Sequence, residues 1–281
     1  MSETCDKNVV KPDWNRIWQE SCRKRRGDRN DREFWNKRAP SFANHAKESG
    51  YVTDFLRHLA PQPDWSVLDV GCGAGTLAIP LADTVRQVTA VDFSETMLAI
   101  LSERCRKKGL ANVTTRLLDW QDDWDVAGIE RHDVAIASRS LVVEDLAGAI
   151  EKLAGRARHR VIVSSLVADG PFDRRIFQAI GRDLDRGPDY ICVYNLLHQM
   201  GIYADVTFVG NADEEKKIFQ NLDDAVKGYG WMINDMTGEE ECKLRQYLER
   251  HLVPMGDGYV LDYLHLVRWA ILSWDIARCD T

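Results

Sequence analysis

The residues best able to do chemistry lie in one short run, Val67-Leu68-Asp69-Val70-Gly71-Cys72-Gly73-Ala74-Gly75-Thr76. An apolar strand that stops at closely spaced glycines lets the backbone turn sharply and approach a ligand, with a helix starting beside it. Twenty-one residues after Gly71, at the end of a second apolar run, stands Asp92. A carboxylate there can accept from both hydroxyls of a ribose lying over the turn. Together the two features specify a nucleoside-type cofactor. Gly71, Gly73 and Gly75 make a GxGxG, with Thr76 where a GxGxxG dinucleotide turn has its third glycine. Asp69, two residues before the turn, would repel an anionic pyrophosphate and attract a ligand carrying an ammonium and a sulfonium.

Strands and helices alternate around this run. Residues 66–70, 88–91, 113–118, 133–137 and 160–164 read as five strands, with helices over 76–82, 94–108 and 144–153. The strands are apolar throughout, as in a parallel sheet covered on both faces. Short connections between them permit right-handed crossovers. Helical stretches over 173–185 and 190–200 precede a sixth strand at 205–209, and 266–273 reads as the last. The expected fold is a doubly wound, mostly parallel seven-stranded α/β sheet. Ahead of it, residues 12–34 look like a basic helical or loosely attached arm, and two helices separated at Gly50 fill 33–59.

VLDVGCGAGTLAIPLA (67–82), VTAVDFSETML (88–98) and LLDW (117–120) resemble the class I S-adenosylmethionine-dependent methyltransferases, whose sheet is Rossmann-like. The resemblance covers residues 65–168 closely and the later strands in outline. It implies adenosylmethionine as cofactor and adenosylhomocysteine as product. The turn Gly71–Gly75, with Asp69 before it, would hold the methionine portion, and Cys72 would shape that turn. Asp92 would take the ribose, while Phe93 would pack on the adenine with Met97 in the same contact set. Asp119 would accept from the adenine amino group, with Trp120 beside it. Ser138 would lie near the transferring methyl. The chain then divides into an arm and cap helices over 1–64 and a methyltransferase domain over 65–281. Insertions at about 171–204 and 210–259 would form a lid.

The acceptor is read from the residues after the fourth strand. The sequence there is Ala137-Ser138-Arg139-Ser140-Leu141. It lacks the proline motif of the branch that methylates nucleobase amino groups, and the paired cysteines of cytosine C5 methylation are absent too. Two helices before the sheet, with WNKRAPSFA (35–43) leading in, are similar to methyltransferases of quinone-precursor and natural-product type. This implies a small-molecule acceptor that displaces the sulfonium in line. Position alone places Arg139, Tyr51, Tyr190 and Trp231 on the acceptor side. His198, Tyr194 and His45 are the catalytic candidates, since an imidazole can take a proton near neutral pH. Tyr194, Leu197 and His198 share a helical side by their i, i+3, i+4 spacing. One alternative is an RNA or protein methyltransferase that docks its substrate on the Arg23–Arg32 basic run. Another is a non-catalytic adenosylmethionine-binding protein. A third, an NAD(P)-dependent oxidoreductase, is disfavoured by the missing glycine. For a small acceptor, deletion of residues 1–30 should be nearly silent.

Composition sets the outer limits. The chain has 281 residues, 44% hydrophobic and 29% charged, which excludes global disorder and coiled coil. The longest stretch without Asp, Glu, Lys or Arg, 190–204, is shorter than the ~20 residues of a membrane span. No apolar leader opens the sequence, so the reading is soluble and cytoplasmic, as a monomer or homodimer. Net charge is −7, with a net +3 in residues 1–64 and −10 in 65–281. That balance argues against a general nucleic-acid binder. The seven cysteines include no CxxC and suggest neither disulfides nor a metal site.

Overall fold

The apolar runs pair into one sheet in the computed structural model, which describes residues 11–25, 32–45, 50–184, 187–210 and 217–276. The side chains of residues 24, 25 and 41–45 lie outside that description, as does most of the basic run after Arg25. In chain order the strands are β1 (Ser66–Val70), β2 (Gln87–Asp92), β3 (Val113–Leu117), β4 (His132–Ser138), β5 (Ala157–Leu166), β6 (Asp205–Gly210), β7 (Leu252–Met255), β8 (Gly258–Leu261) and β9 (Arg268–Asp275). Seven of them form a sheet in the order β3-β2-β1-β4-β5-β9-β6. All neighbours are parallel except β9, which runs antiparallel to both β5 and β6. Strand order reverses between β1 and β4, and the crevice at such a reversal is where open α/β sheets bind ligands.

Helices cover both faces. They are α1 (Trp14–Arg25), α2 (Arg32–His45), α3 (Gly50–Leu59), α4 (Ala78–Ala82), α5 (Glu95–Lys108), α6 (Leu146–Arg156), α7 (Arg174–Ala179), α8 (Tyr190–Gln199), α9 (Leu222–Gly230) and α10 (Gly238–His251). Because side chains alternate across a strand, each strand feeds two cores. Val67, Val134, Ile136 and Ile162 meet the apolar sides of α3, α4 and α5. Leu68, Ala135, Val161 and Val163 meet α6 and α8, with α1 packed against them.

The region after β5 departs from the sequence reading. The expected helix over 173–185 is only α7, stopped by Ile180 and by Gly181 at φ 83°. A hairpin, β7–β8, lies where only a long connection was expected. Residues of α7, α9, α10 and β8 build a separate core around Ile176, Phe219, Leu244 and Leu248. The insertion at 171–204 therefore splits: α7 joins this second core, while α8 lies on the sheet.

Residues 14–25 are not loosely attached, which corrects the arm reading and, with it, the expectation that deleting residues 1–30 is nearly silent, since that deletion would remove part of the core. Trp18 is 4% exposed, and its indole N–H donates to the Val143 carbonyl at 2.8 Å. Asn15 donates to Asp145 at 2.9 Å, and the Trp14 N–H to the Gln199 side chain at 3.2 Å. The apolar stripe Trp14, Ile17, Trp18, Cys22 is masked in the sequence by surrounding charge. We expect Trp18→Ala to destabilise the fold by ~3–5 kcal/mol, the range for emptying a buried tryptophan site. Urea denaturation measures this. A loss below ~1 kcal/mol would return α1 to the status of an arm.

Candidate functional site

Because β1, β2, β4 and β5 are parallel, their carboxyl ends share one edge, where Val70 pairs with Val91 and Ser138 with Ser164. A cleft of about 2260 Å³ opens there. A pocket for one drug-sized ligand spans roughly 300–1,000 Å³. The space admits a cofactor and an acceptor together.

The glycine turn is held in left-handed backbone, with φ 71° at Gly71, 54° at Gly73 and 86° at Gly75. A side chain on Gly71 would overlap Ser140, whose hydroxyl donates to the Val70 carbonyl at 2.6 Å. One on Gly75 would overlap Leu101 of α5. These glycines are thus demanded by the approach of β4's outgoing loop and of α5, as well as by the turn.

Asp92 is 6% exposed and performs a task the sequence reading missed. One of its oxygens accepts the Gly73 N–H at 2.8 Å and the other the Ser94 N–H at 2.9 Å. It ties the turn to the start of α5. A carboxylate has about four lone-pair sites, so acceptor capacity remains toward the cleft it lines. Burial raises its pKa, opposed by the N–H groups of Ser94, Gly73 and Phe93. Asp69 differs. It is 2% exposed, and Oδ2 is the one buried side-chain polar atom without a hydrogen-bond partner among the described residues. Burial, then the neighbouring Asp92 charge, push its pKa up to about 7. An unpaired buried carboxylate oxygen beside a glycine turn fits an ammonium and would oppose a pyrophosphate. Burial likewise raises the Cys72 thiol well above its ordinary value, which makes it a poor nucleophile.

Phe93, Met97, Asp119, Trp120 and Ser138 line the same cleft. Asp119 accepts the Gln121 N–H at 3.1 Å, and Trp120 packs on Trp124 with ring centroids 5.4 Å apart. Tyr51, expected on the acceptor side, is buried and does not line the cleft; its hydroxyl shares hydrogen bonds with Ser138 Oγ at 2.6 Å and Ser164 Oγ at 2.8 Å, joining the ends of β4 and β5. Arg139 comes next at φ 56° and lies over the Tyr51 ring at 4.4 Å and the Trp269 ring at 5.5 Å. Trp231 also lines the cleft, with Arg38 5.1 Å above its ring.

The remaining sequence candidates are not brought to this place. On α8 the buried residues are Cys192, Val193, Leu196 and Leu197. Tyr194 is 40% exposed and His198 is exposed, its ring packed on Tyr203 at 5.7 Å. Tyr190 is half-buried, edge-on to Phe208 at 5.1 Å. None of the three lines the cleft. Tyr194, Leu197 and His198 are helical neighbours on α8 as their spacing implies, but of the three only Leu197 is buried in the core. His45 lies in α2, and its side chain is outside the described residues. Ser164 and Trp269 line the cleft and were missed. A polar Ser164-Ser165 pair ending an apolar strand was the available signal for the first.

Among the described residues no group of three or more His, Cys, Asp or Glu could hold a metal, and no helix is long and apolar enough to cross a membrane.

The sheet order, the glycine turn and the unpaired Asp69 oxygen define a methyltransferase-type α/β protein. The family described as methyltransferase domain matches residues 67–159. An uncharacterized protein of Haemophilus influenzae is 34% identical over 251 residues, covering 87% of this chain and 89% of its own. The 23S rRNA (uracil(1939)-C(5))-methyltransferase RlmD of Pseudomonas fluorescens is 42% identical over 69 residues, 25% of this chain and 15% of that protein. Nocamycin O-methyltransferase of Saccharothrix syringae is 36% identical over 83 residues, 28% of this chain and 29% of that one. The last two matches span less than a third of either protein. The crystal structure of YcgJ from Bacillus subtilis shares the fold, with a TM-score of 0.51 at 14% identity over 84% of this chain and 99% of that one. The chain is a class I S-adenosylmethionine-dependent methyltransferase, and within that class it belongs to the family of the Haemophilus influenzae protein.

Proposed function

We propose that the chain methylates a small molecule held between the ends of β4 and β5 and the second core. The observation that carries this is the cleft's wall beyond Ser138: Phe34, Trp35, Phe172, Trp231 and Trp269 supply aromatic surface from four separate segments. A walled aromatic space suits a small organic acceptor, whereas a nucleic acid needs an open basic track. The basic run offers little support for such a track in its described part, since Arg23 is paired with Glu144 at 3.0 Å.

In this reading Asp69 meets the methionine ammonium, and Asp92 the ribose. Phe93, Met97, Asp119 and Trp120 flank the adenine, and Ser138 lies toward the acceptor. Bound adenosylmethionine supplies an electrophilic methyl group. The chain contributes alignment and exclusion of water, which together can be worth up to ~7–11 kcal/mol. Tyr51 holds Ser138 and Ser164 in register and so acts as a positioning residue. No histidine lines the cleft among the described residues, so base catalysis by His198 has no geometric support.

Incubation with methyl-labelled adenosylmethionine and a cell extract, then separation into small solutes, RNA and protein, tests the reading. Label in the small-solute fraction is expected; label confined to RNA or protein overturns it. Binding is tested separately by calorimetry, where Asp92→Ala should weaken adenosylhomocysteine by ~1–3 kcal/mol while Glu95→Ala, on the exposed side of α5, is silent. Equal affinities in the two variants would leave Asp92 with the turn-fixing role alone.

A further inference from the structure

The cleft changes character along its length. Near the glycine turn its ionisable side chains are Asp69, Cys72, Asp92 and Asp119; beyond β4 the lining carries Glu144, Asp145, Asp183 and Asp224, while Arg38 and Arg139 reach the space between aromatic rings. Of the other basic residues of the lining, Lys227 is exposed on α9 and three are occupied. Arg182 is held by Glu240 and the Asn234 carbonyl, Lys152 by the Trp120 and Asp122 carbonyls, and Lys217 by the Gly228 carbonyl. Arg139 is different. Its backbone N–H donates to Ser164 Oγ at 2.9 Å, but its guanidinium has no carboxylate or carbonyl partner among the described residues. It lies over the faces of Tyr51 and Trp269.

A guanidinium stacked on rings keeps its five N–H donors at the edges, in a planar fork that matches a carboxylate or phosphate. Arg139 lines the cleft between these two rings and is exposed to the space the cleft encloses. Its left-handed backbone costs a non-glycine residue ~1–3 kcal/mol, a strain that clusters at ligand-binding positions. A guanidinium held between two rings, its fork unpaired and facing the cleft, is placed to receive an anion.

We propose that Arg139 binds an oxyanion of the methyl acceptor, so that the acceptor is a flat aromatic molecule bearing a carboxylate or phosphate. The inference rests on the small-molecule reading above. The rings of Trp269, Phe172 and Trp231 would flank its body. The competing ligand is the carboxylate of the cofactor itself. Strand order argues against it. The ribose acid ends β2 and the glycine turn ends β1, whereas Arg139 leaves β4 away from both, over β5, to a ring on β9. With strands ~4.8 Å apart, the backbone of β9 that carries this ring lies about 10 Å from β4.

The test uses the full chain loaded with adenosylhomocysteine and three compounds: 1-naphthoate, 1-naphthyl phosphate and the neutral 1-naphthamide. The wild type should bind at least one anion about tenfold or more tightly than the amide, and the tighter anion identifies the group. Arg139→Gln should abolish the preference and Arg139→Lys keep part of it. Adenosylhomocysteine affinity, which also reports an intact fold, should stay within about threefold in both variants. Equal binding of both anions and the amide by the wild type overturns the proposal. So does a loss of adenosylhomocysteine affinity beyond about tenfold in Arg139→Gln, which would assign the arginine to the cofactor. The two readings fail separately. Label found in RNA or protein, with the anion preference intact, sinks the small-molecule function; labelled small solutes without that preference sink the oxyanion site.

Discussion

Replacing Gly71 by alanine is expected to weaken adenosylhomocysteine binding at least about thirtyfold, or ~2 kcal/mol. Two effects add. The left-handed conformation at φ 71° costs a Cβ-bearing residue ~1–2 kcal/mol. The new methyl also overlaps Ser140, which cannot retreat without losing its 2.6 Å hydrogen bond to the Val70 carbonyl. The turn must therefore shift, and the Gly73 N–H with it, away from Asp92. Gly109→Ala is the control: its φ is 70°, but nothing lies within 4 Å of an added Cβ. It should cost ~1 kcal/mol of stability and leave the ligand affinity alone. Adding Ser140→Gly to Gly71→Ala should recover part of the loss, as a double-mutant cycle would report. An unchanged Kd in Gly71→Ala would show that the turn tolerates displacement and is not the ligand's cradle.

The second large effect is a pH dependence carried by Asp69. Its pKa of about 7 in the folded chain lies above the ordinary carboxylate value of 3.8. Between these values the native state holds a proton that the unfolded state has released. Stability of the unliganded protein therefore falls as pH rises through this window, and levels off above about 7. Asp69→Asn should remove that decline and raise the melting temperature at pH 8. Ligand binding runs the other way, since an ammonium prefers the ionised carboxylate. Adenosylhomocysteine should bind more tightly as pH rises from 5.5 toward 7, by at most about tenfold per unit, with the slope gone in Asp69→Asn. Asp92 is the nearest charge of the same sign, and it remains in the variant, so the difference isolates Asp69. Calorimetry across this range decides. A wild-type affinity that does not vary with pH would separate the orphan oxygen from the ligand.

How much could be read from sequence depends on how locally each feature is encoded. The glycine turn, Asp69 and Asp92 lie within one strand–turn–helix–strand unit, and local chemistry makes them visible. Arg139 could be placed at a strand end by counting strands, but its left-handed backbone and ring partners could not. Trp269 meets the cleft only because β9 lies against β5, a pairing across more than a hundred residues. Tyr194 and His198 failed for a plainer reason. Helical spacing shows which residues share a side, and the aromatic and imidazole groups drew the reading toward chemistry. The stripe Cys192, Val193, Leu196, Leu197 already marked the side that faces the sheet. On α1 the opposite error arose, because many charges concealed a Trp-based stripe spaced by three and four residues.

The interior position of β9 has a consequence for how the chain emerges from the ribosome. β1 to β5 can assemble as they are made, but the open side of β5 must wait for a strand more than a hundred residues later. β6 waits as well, since β9 is its sole sheet neighbour. During that interval the unpaired edge of β5 is a template for wrong partners, of the kind chaperones shield. The glycine turn and Asp92 belong to the part completed early, and the stacked ring of Trp269 to the part completed late. A nascent chain paused before residue 268 would thus be able to acquire its nucleoside site while its acceptor wall is still missing.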